Sequence, residues 1–282
     1  MKYTFLLVFV FSILGLRAQD KSDLEMKPFF VGVTAGGYFA NKNTAYFYNG
    51  NASGGIERVL NTQFYADQIT QEYQSYPWTF GEFPEQMRYT VAAQLGIHLG
   101  YNVSETFSLI GDLDLINIKA QDFITLLIDD PNNLSPEPTI EVIPILGKEK
   151  RLSLNFGFQN YLSSENNTYF YWSLAANVSI TKFEDNTMKI GSLPAMYIGD
   201  PLWIGNINVN NGSVVAGTGR TKPGGVGVGA IAGFGVKFKF NPQFIFDIGY
   251  NLHYTTVNLT DYDSVFKERG MQHSLFARII WG

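Results

Sequence analysis

Three histidines, His98, His253 and His273, are the first candidates for proton chemistry, and Ser274 follows His273 directly. A serine and a histidine oriented by an acid would make an acyl-transfer set. Adjacent residues on an extended chain point to opposite faces, so His273 and Ser274 cannot serve one another on a strand. No nucleophile, base and orienter can be named together. The expectation is therefore no catalytic residue, no cofactor and no metal site, and a protein that is not an enzyme. The chain has no cysteine, which excludes disulfides and thiol chemistry. The glycines of 224–235 belong to a strand with small side chains on one face, not to a phosphate loop.

A second set of reactive groups is more informative. Arg88, Asp112, Asp114, Arg151, Lys237, Lys239, Asp247 and Arg278 all fall on the polar parity of segments whose other parity is apolar. If those segments are strands, the eight charges share one enclosed face. Enclosed charge must be paired or hydrated, so the expectation is a network of lumen salt bridges, with Lys237 opposite Asp247. His98 and His253 fall on the same face and read as ordinary lumen polar groups.

The elements that would position these groups follow from a period of two. In 88–101, Tyr89, Val91, Ala93, Leu95, Ile97, Leu99 and Tyr101 alternate with Arg88, Thr90, Gln94, Gly96, His98 and Gly100. One face is apolar with tyrosine at each end, and the other is small or polar. The pattern recurs at 29–40, 107–116, 151–162, 168–182, 226–240, 244–257 and 272–281, which makes eight strands. Short links at Asn102–Thr106, Ser163–Asn167 and Asn241–Gln243 alternate with long ones at 41–87, 117–150, 183–225 and 258–271. Such alternation belongs to an up-and-down barrel with tight periplasmic turns and long external loops. A soluble β-sandwich would put the polar parity in water and fill it with Lys and Glu. Here that parity is rich in glycine (Gly32, Gly96, Gly157, Gly227, Gly233), as a narrow barrel interior requires. Ile124–Ile128 and Ile140–Leu146 read as strand extensions or a hairpin above the membrane, and Ile56–Tyr73 has helical spacing.

Composition agrees. Aromatic residues make up 15% and charged residues only 16% of the chain, a combination suited to aromatic girdles around a lipid-facing belt. The net charge of −5 without basic runs excludes nucleic acid as a partner. Lys2, the apolar run Phe5–Leu16 and Arg17-Ala18-Gln19 have the layout of a secretory signal peptide, too short to span a bilayer. The expected organisation is 1–19 signal peptide, 20–27 short periplasmic segment and 28–282 outer-membrane β-barrel.

On this pattern, residues 28–282 resemble the small eight-stranded outer-membrane barrels, the OmpA/OmpX-like group, and more loosely the outer-membrane β-barrel domain proteins of Bacteroidota. Such barrels end on an aromatic residue; here Trp281 precedes a final Gly282. The resemblance implies an all-β, eight-stranded antiparallel up-and-down transmembrane β-barrel with long extracellular loops, located in the outer membrane. Asp263-Ser264-Val265 is similar to the short O-glycosylation site of Bacteroidota proteins. The expected partners are outer-membrane lipid and other outer-membrane subunits. Loop 183–225 carries apolar residues, among them Met196, Tyr197, Leu202 and Trp203, that mark a partner-binding loop or a contact with the protein's own first loop. The expected role is a membrane anchor and interaction subunit, an accessory of a secretion or assembly complex; a narrow pore and a lipid A-modifying enzyme are the alternatives.

Overall fold

The computed structural model describes residues 28–50, 55–134, 137–165, 167–198, 207–210, 213–216, 222–241, 243–260 and 265–282. The signal peptide and the segment 20–27 lie outside them, as do Leu202, Trp203, Asp263 and Ser264.

Eight long strands form a closed antiparallel ring. They are β1 (Phe29–Phe39), β2 (Ala92–Ser104), β3 (Phe107–Ile128), β4 (Thr139–Glu165), β5 (Thr168–Met188), β6 (Gly224–Asn241), β7 (Phe244–Thr260) and β8 (Val265–Trp281). Each pairs with its sequence neighbour, and β1 closes on β8 through pairs such as Val33↔Ile279. Closure satisfies every strand edge, the condition for crossing hydrocarbon. Side chains alternate as the period of two demands. On β5, Phe170, Leu174, Val178 and Ile180 face out, while Tyr171, Ser173, Asn177 and Ser179 are buried inside. The exterior is apolar and bare, with Phe29 71% and Phe156 70% exposed. At the short-turn end the Phe158 ring packs against both Phe107 and Trp172, and the Phe244 ring against both Phe240 and Trp281. This is a lipid-facing belt with an aromatic girdle.

Several strands run well beyond the bilayer, and there their polarity inverts. On β3 the outward residues Leu109, Leu113 and Leu115 give way to Asn117, Lys119 and Gln121. The inward residues Asp112 and Asp114 give way to Ile116, Ile118 and Ala120. Below the switch the barrel is apolar outside; above it, the apolar side is inside, as in a water-soluble protein. The stretches 117–128 and 139–150, expected within a long loop, are this upper hairpin, paired from Ile116↔Arg151 to Ile128↔Thr139. The expected loop 258–271 likewise contracts, because β7 and β8 pair out to Thr260↔Val265.

The helical expectation for 56–73 resolves into α1 (Ile56–Asn61) and α2 (Gln63–Glu72), broken at Thr62. The parity expected for Arg88 and Tyr89 fails. Tyr89 faces Ala120 and Ala93 faces Asn117, so four steps on one strand answer three on the other. This extra residue reverses the parity. Arg88 therefore points outward, exposed and hydrogen-bonded to Gln86, and Tyr89 turns inward.

Candidate functional site: a filled lumen under a capped mouth

The lumen is occupied in layers by its own side chains. In the layer toward the short turns, Lys237 donates to the Tyr161 hydroxyl at 3.0 Å, and its ammonium lies 4.9 Å from the Phe30 ring, 5.2 Å from Tyr161 and 5.4 Å from Tyr171. Beside it Arg278 bridges two carboxylates, Asp112 at 3.0 Å and Asp247 at 3.6 Å, and its Nε donates to Thr34. Asp112 also meets His98 Nδ1 at 2.7 Å, and Tyr171 donates to Asp247 at 2.8 Å. The expected register holds: Lys237 faces Asp247 and Phe238 faces Phe246. The expected ion pair between Lys237 and Asp247 does not form, because the guanidinium of Arg278 reaches the carboxylate from β8, where Asp247 also has a partner position. Phe240 does not face Phe244 directly, since a register shift between Lys239 and Asn241 pairs Asn241 with Phe244.

Above this layer Asp114 accepts from Asn155, and Asn155 and Ser153 both accept from Asn177. Asp114 is thus in the lumen as expected, held by amide groups instead of a cation. Lys239 is buried toward the turn end, and its ammonium has no hydrogen-bond partner among the described residues.

The histidine chemistry takes an unforeseen form. His253 Nε2 lies 3.0 Å from Ser274 Oγ, across β7 and β8 rather than along one strand. The clue was available, because both residues belong to the polar parity of adjacent strands. Among the described residues no carboxylate is paired with the His253 ring, and both side chains are buried. The outward His273 meets the Tyr250 hydroxyl on the lipid-facing side.

The third layer closes the mouth. Arg151, buried, pairs with Glu149 at 2.5 Å and donates to Thr44 at 3.3 Å, from the segment following β1. Glu149 also accepts from Tyr48 at 2.7 Å and Tyr89 at 3.1 Å. Burial, followed by the neighbouring Glu149 carboxylate, holds the Tyr48 phenol well above its usual range. Glu149 falls outside the sequence-based set because the alternation that marks this strand begins at Arg151. Over this layer sits a hydrophobic core made from both sources: Ile124, Leu126, Ile143, Ile145, Phe183 and Leu259 from the strands, and Tyr48, Ile56, Leu60, Ile69, Met87, Ile190, Met196 and Ile198 from the connections. Met196 is therefore a contact with the protein's own first loop, whereas Tyr197 is exposed.

No protein-family model matches the chain, and no curated protein matches its sequence. Solved structures are similar in fold. Neisserial surface protein A matches at 11% identity over 90% of this chain and 96% of that one, with a TM-score of 0.41. Ail, the attachment invasion locus protein of Yersinia pestis, matches at 9% identity over 91% of this chain and 99% of that one, with a TM-score of 0.36. The outer membrane protein OprG from Pseudomonas aeruginosa matches at 9% identity over 91% and 95%, with a TM-score of 0.39. The closed ladder and inverted polarity of this chain define its class: an eight-stranded transmembrane β-barrel of the outer-membrane type, residing in that membrane.

Proposed function

We propose that this protein is a non-enzymatic outer-membrane anchor whose external head is its interaction element. The observation that carries the reading is the sealed mouth. The core of Tyr48, Leu60, Ile124, Ile145 and Met196 lies over the Glu149–Arg151 pair, which lies over a lumen of buried side chains. An eight-stranded barrel has room for side chains or for water, not both. Strands as long as β4, Thr139–Glu165, far exceed the 9–11 residues that a membrane crossing needs. The surplus length builds a folded head, and that head is what the barrel holds at the surface. An accessory role in a larger outer-membrane secretion or assembly complex is the form of interaction we favour, with the exposed Tyr197 region at its contact.

The test is electrical and biochemical. Purified full-length protein in planar bilayers should produce no discrete channels. Regular unitary steps would replace the anchor reading with the narrow pore. Substitutions in the exposed head should release a co-purifying outer-membrane chain while the barrel remains folded.

A further inference from the structure

Four lysines form a compact array on the outside of the barrel, at the level where the polarity inverts. Lys119 on β3 faces Lys148 on β4, and Lys150 on β4 faces Lys182 on β5. Facing residues of an antiparallel pair hold their Cβ atoms about 4.5–5.5 Å apart, and like charges so placed repel. The side chains are open: Lys150 is 58% and Lys148 42% exposed. Two acids answer part of the charge, Glu184 at 3.0 Å from Lys150 and Asp185 at 3.7 Å from Lys148. Lys119 and Lys182 are in no ion pair among the described residues. The chain as a whole is net acidic, at −5, so this concentration of cations is local.

Its height is set by the strands. Lys119 lies twelve residues from the girdle residue Phe107, and Lys182 twelve from Phe170. At about 3.3 Å per residue and a tilt near 40°, that is roughly 30 Å along the barrel axis, one hydrocarbon thickness. The array therefore stands at the outer lipid–water boundary, directly above the apolar wall of Leu115, Leu152, Leu154 and Ile180.

We propose that this array binds the phosphate of an anionic glycolipid of the outer leaflet, with the acyl chains lying on the wall below. Continuity of cations with lipid-facing leucines selects a lipid over a free anion, which would gain nothing from the wall. Anion binding also accounts for two facing lysine pairs whose repulsion Glu184 and Asp185 answer only in part.

The probe is diphosphoryl lipid A beside its dephosphorylated counterpart, each offered to the full-length protein in detergent, with retained lipid counted by native mass spectrometry. Wild type should prefer the phosphorylated form, and Lys119→Gln/Lys182→Gln should reduce that preference roughly 10- to 30-fold. These two lysines are chosen because their loss strands no acid. Lys267→Gln, on β8 across the ring from β4, should leave the preference intact. Folding is read from the heat-dependent gel shift, and Lys182→Gln alone serves if the double variant does not fold. Equal retention of both lipids, or an undiminished preference in the variant, would overturn the proposal. Displacement by millimolar inorganic phosphate would overturn it too, by marking a small-anion site.

Discussion

Lys237 and Asp247 face each other across β6 and β7, yet the carboxylate belongs to Arg278 and the ammonium to three aromatic rings. Register brings two residues together; it does not choose their partners. Arg278, directly opposite Asp247 on the other neighbouring strand, presents a fork that serves Asp112 and Asp247 at once. Lys237 is a point charge and settles among the faces of Phe30, Tyr161 and Tyr171.

A double-mutant cycle separates these relations. Asp247→Ala should cost about 3 kcal/mol in urea unfolding, because it removes one of two counter-charges from a buried guanidinium. Coupling between Asp247 and Arg278 should exceed coupling between Asp247 and Lys237. The reverse order would mean that the lysine is the true partner. Lys237→Met should be mild, since the methionine keeps contact with the rings.

The Glu149–Arg151 pair makes a second prediction. Glu149→Gln leaves the buried Arg151 facing only neutral groups and deprives Tyr48 and Tyr89 of a charged acceptor. A loss of about 3 kcal/mol is expected. Glu149→Leu combined with Arg151→Met should recover much of it, because an apolar pair extends the core above. If the double variant is no better than the single one, hydrogen bonding to the two tyrosines outweighs the ion pair.

How far the sequence could be read depends on where polarity reverses. Within the bilayer, apolar means outward, and that rule places Phe170, Val178, Leu113 and Ile279 correctly. Above Leu115 the same alternation continues with the opposite meaning, so Ile116, Ile118 and Ala120 resemble the end of a strand when they are its continuation. Arg88 was lost to one extra residue between Tyr89 and Ala93, which no periodicity can register. The other seven charges are buried in the lumen and were legible as a set, but their pairing was not, because it depends on side-chain reach between strands. The lysine array is assembled from β3, β4 and β5 and is invisible as a run.

Glu72 ties the end of α2 to the connection that follows β5. Its carboxylate accepts from the Ser192 backbone N–H at 2.6 Å and from the Ser192 hydroxyl at 2.7 Å. These bonds, the backbone one first, hold its pKa below the ordinary 4.5. A depressed carboxylate stabilises the fold above its unfolded pKa and ceases to do so as pH falls through the folded value. Protease sensitivity of 189–198 should therefore rise on acidification below 4.5, while the barrel stays intact. Glu72→Gln should show that sensitivity already at neutral pH and lose the pH dependence. A wild type indifferent to acid would remove the clamp from the account.

Gly147 lets the first connection seat itself against the barrel wall. A Cβ there would fall 2.3 Å from Tyr48 Cγ, so the ring can lie where it does only because residue 147 has no side chain. Tyr48 is fully buried, stacks on Phe183 with ring centres 5.9 Å apart, and receives a hydrogen bond from Asn186 on its carbonyl. Gly147→Leu must expel it, at an overpacking cost of roughly 1–3 kcal/mol. The bilayer part of the barrel contains none of these contacts, so the heat-dependent gel shift should persist. Added protease should cut within 41–87 in the variant but not in the wild type. Conductance should remain absent, because the Asp112–Arg278 layer still fills the lumen beneath. Channels in Gly147→Leu would show that Tyr48 alone is the seal, and unchanged protection would show that Tyr48 is not seated against residue 147 at all.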